Sequence, residues 1–210
     1  MALVAQPDLS RLTWPRRTDR LDLRPVTLDD LDAVLAYRSR PEVVVHLSHD
    51  ELDREQVRER ITSRIARGRP GAAEPLLALA VEERAGGRVV GDVMLRLEVS
   101  HSIARTPSEE WEGTIGYALH PDVHGRGLAA EAAAELLVLG FRDLGLRRIT
   151  ADAYADNIAS NRVLRRIGMR HEATVRAKPL GKDGTWLDDN TWALLREEWL
   201  DLAARRSWRT

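Results

Sequence analysis

Gly116-Tyr117-Ala118-Leu119-His120-Pro121-Asp122-Val123-His124-Gly125-Arg126-Gly127-Leu128-Ala129-Ala130-Glu131-Ala132 carries a strand through a glycine turn into a helix. Thr114 to Leu119 reads as the strand, and His120-Pro121-Asp122 stops it, because proline has no N–H to give a ladder. Gly125 and Gly127 bring bare backbone close to something, and an alanine-rich helix begins near Leu128. A glycine loop opening a helix aims unpaired N–H groups outward at the positive end of the helix dipole. That is an anion cradle suited to phosphate. The expectation here is a pyrophosphate-bearing cofactor; the competing reading is a plain strand–helix connection with glycines for tight turning. Two familiar phosphate loops do not fit. The triphosphate loop needs four residues between its glycines and then Gly-Lys-Ser/Thr. The dinucleotide fingerprint has this glycine spacing, with Ala130 in its third place, but needs an acidic strand end about twenty residues on. Phe141-Arg142-Asp143-Leu144-Gly145 ends a helix there instead.

With 210 residues, 43% of them hydrophobic and 31% charged, the chain suits one soluble domain with a real core, or a domain plus a tail. A net charge of −1 supplies no field toward nucleic acid or an anionic membrane. There is no cysteine, so disulfides, zinc–thiolate sites and thiol nucleophiles are excluded. No apolar run approaches spanning length and no basic-then-apolar leader opens the chain, so the cytoplasm is the expected compartment. Lysine occurs only at 178 and 182. That arginine bias fits a GC-rich, bacterial genome.

Outward from the glycine loop the elements follow from pattern. Residues 1–19 lack periodicity and contain Pro7 and Pro15, so an extended arm is expected before a domain over 20–196 and a tail over 197–210. Leu21 to Arg24 alternates as a short strand. Thr27 caps a helix carrying Leu31, Val34 and Leu35, which Arg40-Pro41 ends. Asp53 starts a second helix with Val57, Ile61 and Ile65 one turn apart. Leu76 to Glu83 and Arg88 to Val99 pair through Ala85-Gly86-Gly87. Ser100 to Ser108 links to a strand over Trp111 to Leu119. Helix 128–144, strand Arg148 to Tyr154, helix 158–167 and strand Arg170 to Arg176 follow. A loop with Gly181 and Gly184 leads to a last strand near Thr191 to Leu195, and the charged tail carries Trp199 and Trp208 as docking residues. The order β-αα-βββ-α-β-α-ββ is an α/β (α+β) chain, a mixed sheet with helices on both faces.

That order, the loop His124-Gly125-Arg126-Gly127-Leu128-Ala129, and Asn157-Ile158-Ala159-Ser160-Asn161-Arg162-Val163-Leu164-Arg165-Arg166-Ile167-Gly168-Met169 together resemble the GNAT acyltransferases. The branch resembled is that of the ribosomal-protein N-terminal alanine acetyltransferases, over roughly Arg20 to Leu195. The resemblance implies a mostly antiparallel sheet splayed at its centre, between the strands 114–119 and 148–154, usually with a bulge in the former. It implies acetyl-CoA as co-substrate and no metal. In the family the loop Q/R-x-x-G-x-G/A holds the pyrophosphate on backbone N–H groups; His124 departs from its first position, whose side chain usually supports the loop. Arg126 either adds a charged contact or stays solvated. Pantetheine slots into the splay, and by resemblance the backbone of Tyr117, Ala118 and Leu119 pairs with it. Gly116 suits a close approach or a bulge. By the same resemblance Asn157 binds the pantetheine amide and Ser160 points at the sulfur to protonate or hydrogen-bond the leaving thiolate, while helix capping, by Asp156 or Asn157, remains the alternative. Tyr154 is the rival acid. Arg162, Arg165 and Arg166 are candidates for the adenosine 3′-phosphate, although only one helix face can reach it.

Direct transfer needs a neutral amine, a polarised thioester carbonyl and a stabilised thiolate. An α-amino group with a pKa of about 7.8 is roughly 14% neutral at pH 7, a lysine amine only about once in 2,500. A peptide N-terminus therefore needs only a modest base, which can act through water, and a lysine or polyamine needs a stronger one. Glu112 is the candidate base, on the face of Thr114 and Gly116; the alternative is a surface glutamate. His120 and His124 flank the cradle, where turn chemistry also explains them. The resemblance sets acceptor choice in 38–65 and 178–190, where Asp183, Asp188 and Asp189 suit a cationic amine or simply solvate a loop. A succinyl or other acyl donor, and a CoA-binding module without catalysis, remain open. Trp186, Trp192 and the tail either cover a partner subunit in a homodimer or fill the core.

Overall fold

The computed structural model describes residues 7–101 and 110–206. Met1 to Gln6, most of the expected linker and Trp208 lie outside them. β1 (Arg16–Arg17), β2 (Leu21–Pro25), β3 (Leu76–Glu83), β4 (Arg88–Val99), β5 (Trp111–Leu119), β6 (Arg148–Tyr154), β7 (Arg170–Val175) and β8 (Asp189–Leu195) form one sheet in the order β1-β2-β3-β4-β5-β6-β8-β7. Every neighbouring pair is antiparallel except β5 and β6. The helices are α1 (Leu31–Arg38), α2 (Pro41–Val44), α3 (Arg54–Arg67), α4 (Leu128–Val138), α5 (Ile158–Arg166) and α6 (Arg196–Arg206).

Strand alternation divides the core between two faces. Ile115 and Leu119 of β5 pack with Leu128 and Leu136 of α4 and Leu164 of α5. Ala118 and Met94 turn the other way, toward Val34 and Tyr37 of α1 and Val57 and Ile61 of α3. Helix α3 starts where Asp53 and Gln56 cap one another: each side chain accepts the other's backbone N–H at 2.9 Å. Asp53→Ala is expected to cost about 1 kcal/mol, read as a lower denaturant midpoint at unchanged slope.

Several local expectations shift. A 3-10 turn over Leu28–Asp30 precedes α1, because Arg24 holds Asp30 at 2.8 and 3.0 Å and Thr27 N–H donates to the same carboxylate. The arm is less detached than its lack of periodicity suggests. Arg16–Arg17 pairs with β2, Leu12 enters the core, and Arg16 reaches Glu135 at 2.8 Å and Asp143 at 2.9 Å. In the tail, Trp199 stacks on Phe141 at 5.6 Å between ring centroids, while Trp192 is buried in the core and Trp186 lies exposed.

The splay is present. Pairing between β5 and β6 is confined to Glu112↔Arg148, Gly113↔Ile149 and Thr114↔Thr150, after which β6 leaves with β8 as far as Tyr154↔Asp189. The bulge expected in β5 is not there. Its register with β4 runs unbroken from Val99↔Trp111 to Gly91↔Leu119, so the gap opens by departure of β6 alone. A Cβ on Gly116 would lie 2.8 Å from Met94 Cε, the movable end of a flexible side chain.

Candidate active site

The phase of the β5 amides decides what lines the gap. His120 N–H donates to Val90 O at 2.8 Å and Ser100 N–H to Glu110 O at 2.9 Å, at opposite ends of one unbroken register. Bonded rungs alternate along an antiparallel pair, so Thr114, Gly116 and Ala118 give their backbone groups to β4. Ile115, Tyr117 and Leu119 turn theirs toward β6, where the Thr114↔Thr150 rung takes the Ile115 N–H and leaves its carbonyl, with Tyr117 and Leu119, to the gap. The bond from Arg147 N–H to Trp111 O, 2.9 Å, confirms this phase on the β6 side. Of the three expected backbone ligands, Tyr117 and Leu119 therefore face the opening. Ala118 does not, because its amide belongs to the rung with Asp92; the carbonyl of Ile115, which sequence reasoning passed over, does. Leu119 O is already engaged by His124 Nε2 at 3.0 Å, so the histidine braces the loop from within.

Below the gap, Gly125 and Gly127 adopt φ of +75° and +78°, the left-handed turn that feeds α4. Leu128 and Ala129 follow in the first helical turn, where backbone N–H groups lack partners inside the helix. Two guanidiniums border this cradle. A Cβ on Gly127 would stand 3.5 Å from Arg166 Nη1 and 3.7 Å from Arg20 Nη2. Arg20 is held there by Glu131 at 2.6 Å and donates to Arg126 O at 2.8 Å. Glu131 also accepts from Thr18 Oγ1 at 2.6 Å. Burial alone would raise the pKa of Glu131, but the bonds from Thr18 and Arg20 lower it further than burial raises it. Sequence reasoning missed Arg20 and Glu131; an acidic residue in the first turn beside the cradle was the available signal. Arg126, by contrast, gives its charge to Glu83 at 2.5 Å. Among the three α5 arginines, Arg166 is the one placed at the cradle, and Arg165 lies over the Trp192 ring.

On the far side of the gap, Asn157 caps α5, its Oδ1 accepting from Ser160 N–H at 3.0 Å. Tyr117 O–H donates to Ser160 O at 3.2 Å, which brings Tyr117, Asn157 and Ser160 together. Burial lifts the Tyr117 phenol to about 12, against the lowering by its Ser160 bond, so it stays protonated at neutral pH. Buried Asn161 fixes this turn. It donates to Tyr154 O and Asn157 O at 2.9 and 2.8 Å, and accepts from Trp192 Nε1 and Asn190 Nδ2, both at 2.9 Å. Tyr154 itself sits edge-on to His46.

Glu112 is not in this group. It lies on the paired side of the fork, bonded to Arg147 and 3.8 Å from Arg148 Nε, because parallel pairing sets Arg148 directly opposite. His120 serves the turn, its Nδ1 accepting from Asp122 N–H at 3.2 Å, and burial lowers its pKa. The acidic run is used by its own loop. Asp183 accepts from Thr185, Asp188 from Ala177 N–H, and Asp189 pairs with Lys178 at 2.8 Å. Lys182 donates to His49 O at 2.6 Å, so this loop touches the segment between α2 and α3. Among the described residues, no helix is long and apolar enough to cross a membrane, and no group of three His, Asp or Glu side chains is set to hold a metal ion.

A sheet forked between two parallel strands, with a glycine-opened helix beneath the fork, is the architecture of the GNAT acyltransferases. The acetyltransferase (GNAT) domain family matches residues 20–170, and the chain belongs to that family of acyl-CoA-dependent N-acetyltransferases. It is 28% identical over 179 residues to the uncharacterized N-acetyltransferase YoaA of Bacillus subtilis, covering 85% of this chain and 95% of that one. To the uncharacterized N-acetyltransferase YnaD of the same organism it is 40% identical over 85 residues. That match covers 40% of this chain and spans about half of YnaD, 49%. Mycobacterium smegmatis RimJ in complex with CoA-disulfide superposes with a TM-score of 0.72 at 23% identity, covering 91% of this chain and 95% of RimJ, a likeness of fold.

Proposed function

We propose that the protein moves an acetyl group from acetyl-CoA directly to a primary amine, a peptide N-terminus or a small-molecule amine. The observation that carries this reading is the convergence of three things on one gap: the inward backbone of Ile115, Tyr117 and Leu119, the glycine cradle with Arg20 and Arg166, and the Asn157–Ser160 turn. The cradle and its two guanidiniums suit a diphosphate, and the strand backbone suits an extended amide-bearing arm laid along it. Asn157 Oδ1 is committed to the cap, so its Nδ2 is the group offered to a ligand carbonyl. The amine nitrogen forms a bond to the thioester carbonyl carbon and the C–S bond breaks; Ser160 Oγ–H donates a hydrogen bond to the departing thiolate, which takes its proton from water, as the amine gives its own to water. Gap-facing N–H groups of β5 polarise the carbonyl. Glu112, expected as the base, faces Arg147 and Arg148; proton removal from an α-amine is assigned to water, which its modest pKa allows.

Ser160→Ala tests the reading. Thiol release from acetyl-CoA with an amine panel is expected to fall roughly hundredfold or more, with the calorimetric affinity for CoA unchanged. Undiminished turnover removes Ser160 from the chemistry. Heat of CoA binding with no turnover on any amine leaves a CoA-binding module, and no heat at all removes the cofactor assignment.

A further inference from the structure

Between α3 and the β4–β5 end of the sheet lies a cleft of about 940 Å³, walled by Arg60, Arg64 and Arg67 of α3 and by Met94, Arg96 and Trp111. Two of its lining residues, Arg96 and Met94, come close to the fork. Arg96 Nη2 donates to Thr114 Oγ1 at 3.3 Å, and that hydroxyl is 3.0 Å from Thr150 Oγ1, the last rung before β5 and β6 part. Met94 lies opposite Gly116, just past that rung.

The charge at the base of this cleft is unbalanced. Buried Asp92 accepts from Arg38 at 2.6–3.0 Å, from Arg64 at 2.7 Å and from Tyr37 O–H at 2.6 Å. One carboxylate thus already answers two guanidiniums. Arg60 adds a third, and among the described residues no carboxylate pairs with it; its Nε is buried without a hydrogen-bond partner. Burial, then the nearby Arg64 and Arg38, pull the Arg60 guanidinium down to about 10 against the upward pull of Asp92 and Tyr37. The acids that line the cleft do not supply one. Glu74 is held by Arg67 at 3.5 Å, and Glu59 and Glu98 are exposed. An unpaired guanidinium matches a carboxylate in charge and in its planar, two-pronged geometry.

We infer that this cleft takes the anionic part of the acceptor, so that the preferred substrate is an amine that also carries carboxylates, an acidic amino acid or a peptide N-terminus followed by acidic residues. The inference rests on the acetyl-transfer reading, which places the reacting amine at the fork. The volume is within the range of pockets that enclose such ligands. Of the hairpin acids, which would have favoured a polyamine, Asp183 and Asp188 serve their own loop, and Asp189 pairs with Lys178 through Oδ2 while its Oδ1 is buried without a hydrogen-bond partner among the described residues.

Calorimetry on protein saturated with CoA separates the outcomes, and the CoA titration itself comes first: its failure would sink the acetyl-transfer reading, whatever the acceptors do. With CoA bound, Ala-Glu-Glu is expected to bind at least about tenfold more tightly than Ala-Gln-Gln and Ala-Lys-Lys. Arg60→Gln is expected to abolish that preference while leaving CoA affinity alone; exposed Arg96→Gln is the second variant should Arg60→Gln not fold. Free L-glutamate against the tripeptide tells an amino-acid acceptor from a peptide one. Equal binding of the Glu and Gln peptides, preference for the Lys peptide, or no binding by any of the four overturns the inference.

Discussion

Asp92→Ala is expected to lower the stability of the fold by about 3–5 kcal/mol. The carboxylate is fully buried between β4 and the helices α1 and α3, and it is the shared acceptor of Arg38, Arg64 and Tyr37. Its removal leaves Arg38, itself buried, with no opposite charge, and Arg60 already stands nearby unpaired. Burial by itself would raise the Asp92 pKa, but Arg38 and Arg64, with the Tyr37 bond, hold it far below the usual carboxylate range. The sign follows. A depressed folded-state pKa gives stability that is complete above the unfolded value of about 3.9 and is lost only as pH falls below it toward the folded value. The gap in denaturant midpoint between native chain and variant is thus expected to be constant from pH 8 to 5 and to narrow in strong acid. A loss under about 1 kcal/mol, or a gap that closes near pH 6, would contradict this account.

Gly127→Val is expected to weaken CoA binding by roughly hundredfold or more, the equivalent of two charge-assisted contacts. At φ +78° a β-branched residue is strained by about 1–3 kcal/mol. Its Cβ would approach Arg166 and Arg20, and its methyls would fill the space where an anion meets their guanidiniums. Gly125→Ala is the matched control, since a Cβ at 125 meets nothing within 4 Å and the change brings backbone strain alone. Calorimetry with CoA, beside thermal melts of both variants, separates blocked binding from lost fold. Equal affinities in the two variants would mean that the diphosphate does not sit against Gly127.

Much of the scaffold is legible in the chain. The strands at 76–83, 88–99, 111–119 and 148–154 announce themselves by β-branched and aliphatic runs, with Gly86-Gly87 and Pro121 closing two of them, and Asp53 marks the start of α3. The cradle is equally plain, since two glycines ahead of an alanine-rich helix admit few structures. What escapes is whatever depends on pairing across distance. β1 is two residues long and owes its conformation to β2 rather than to any pattern of its own. Glu112 has the parity of a base, but only the parallel register with β6 reveals that Arg148 stands opposite. Asp92 and Arg38 are 54 positions apart, and nothing local distinguishes a buried charge from a solvated one. Asn161 reads as an ordinary helix residue until Trp192 and Asn190 are folded against it.

The Tyr117 phenol spans the mouth of the fork. Asn161 fastens the first turn of α5 to β6 and β8, whereas the free length of β5 reaches that turn through one phenolic proton. The two halves of the sheet are thus joined at the Thr114–Thr150 rung and again, beyond the apolar contacts of Ile115 and Leu119 with Leu164, by a phenolic hydrogen bond worth about 1 kcal/mol. The slot therefore has a covalently continuous wall on each side and polar ties at both ends, at Thr114–Thr150 and at Tyr117–Ser160.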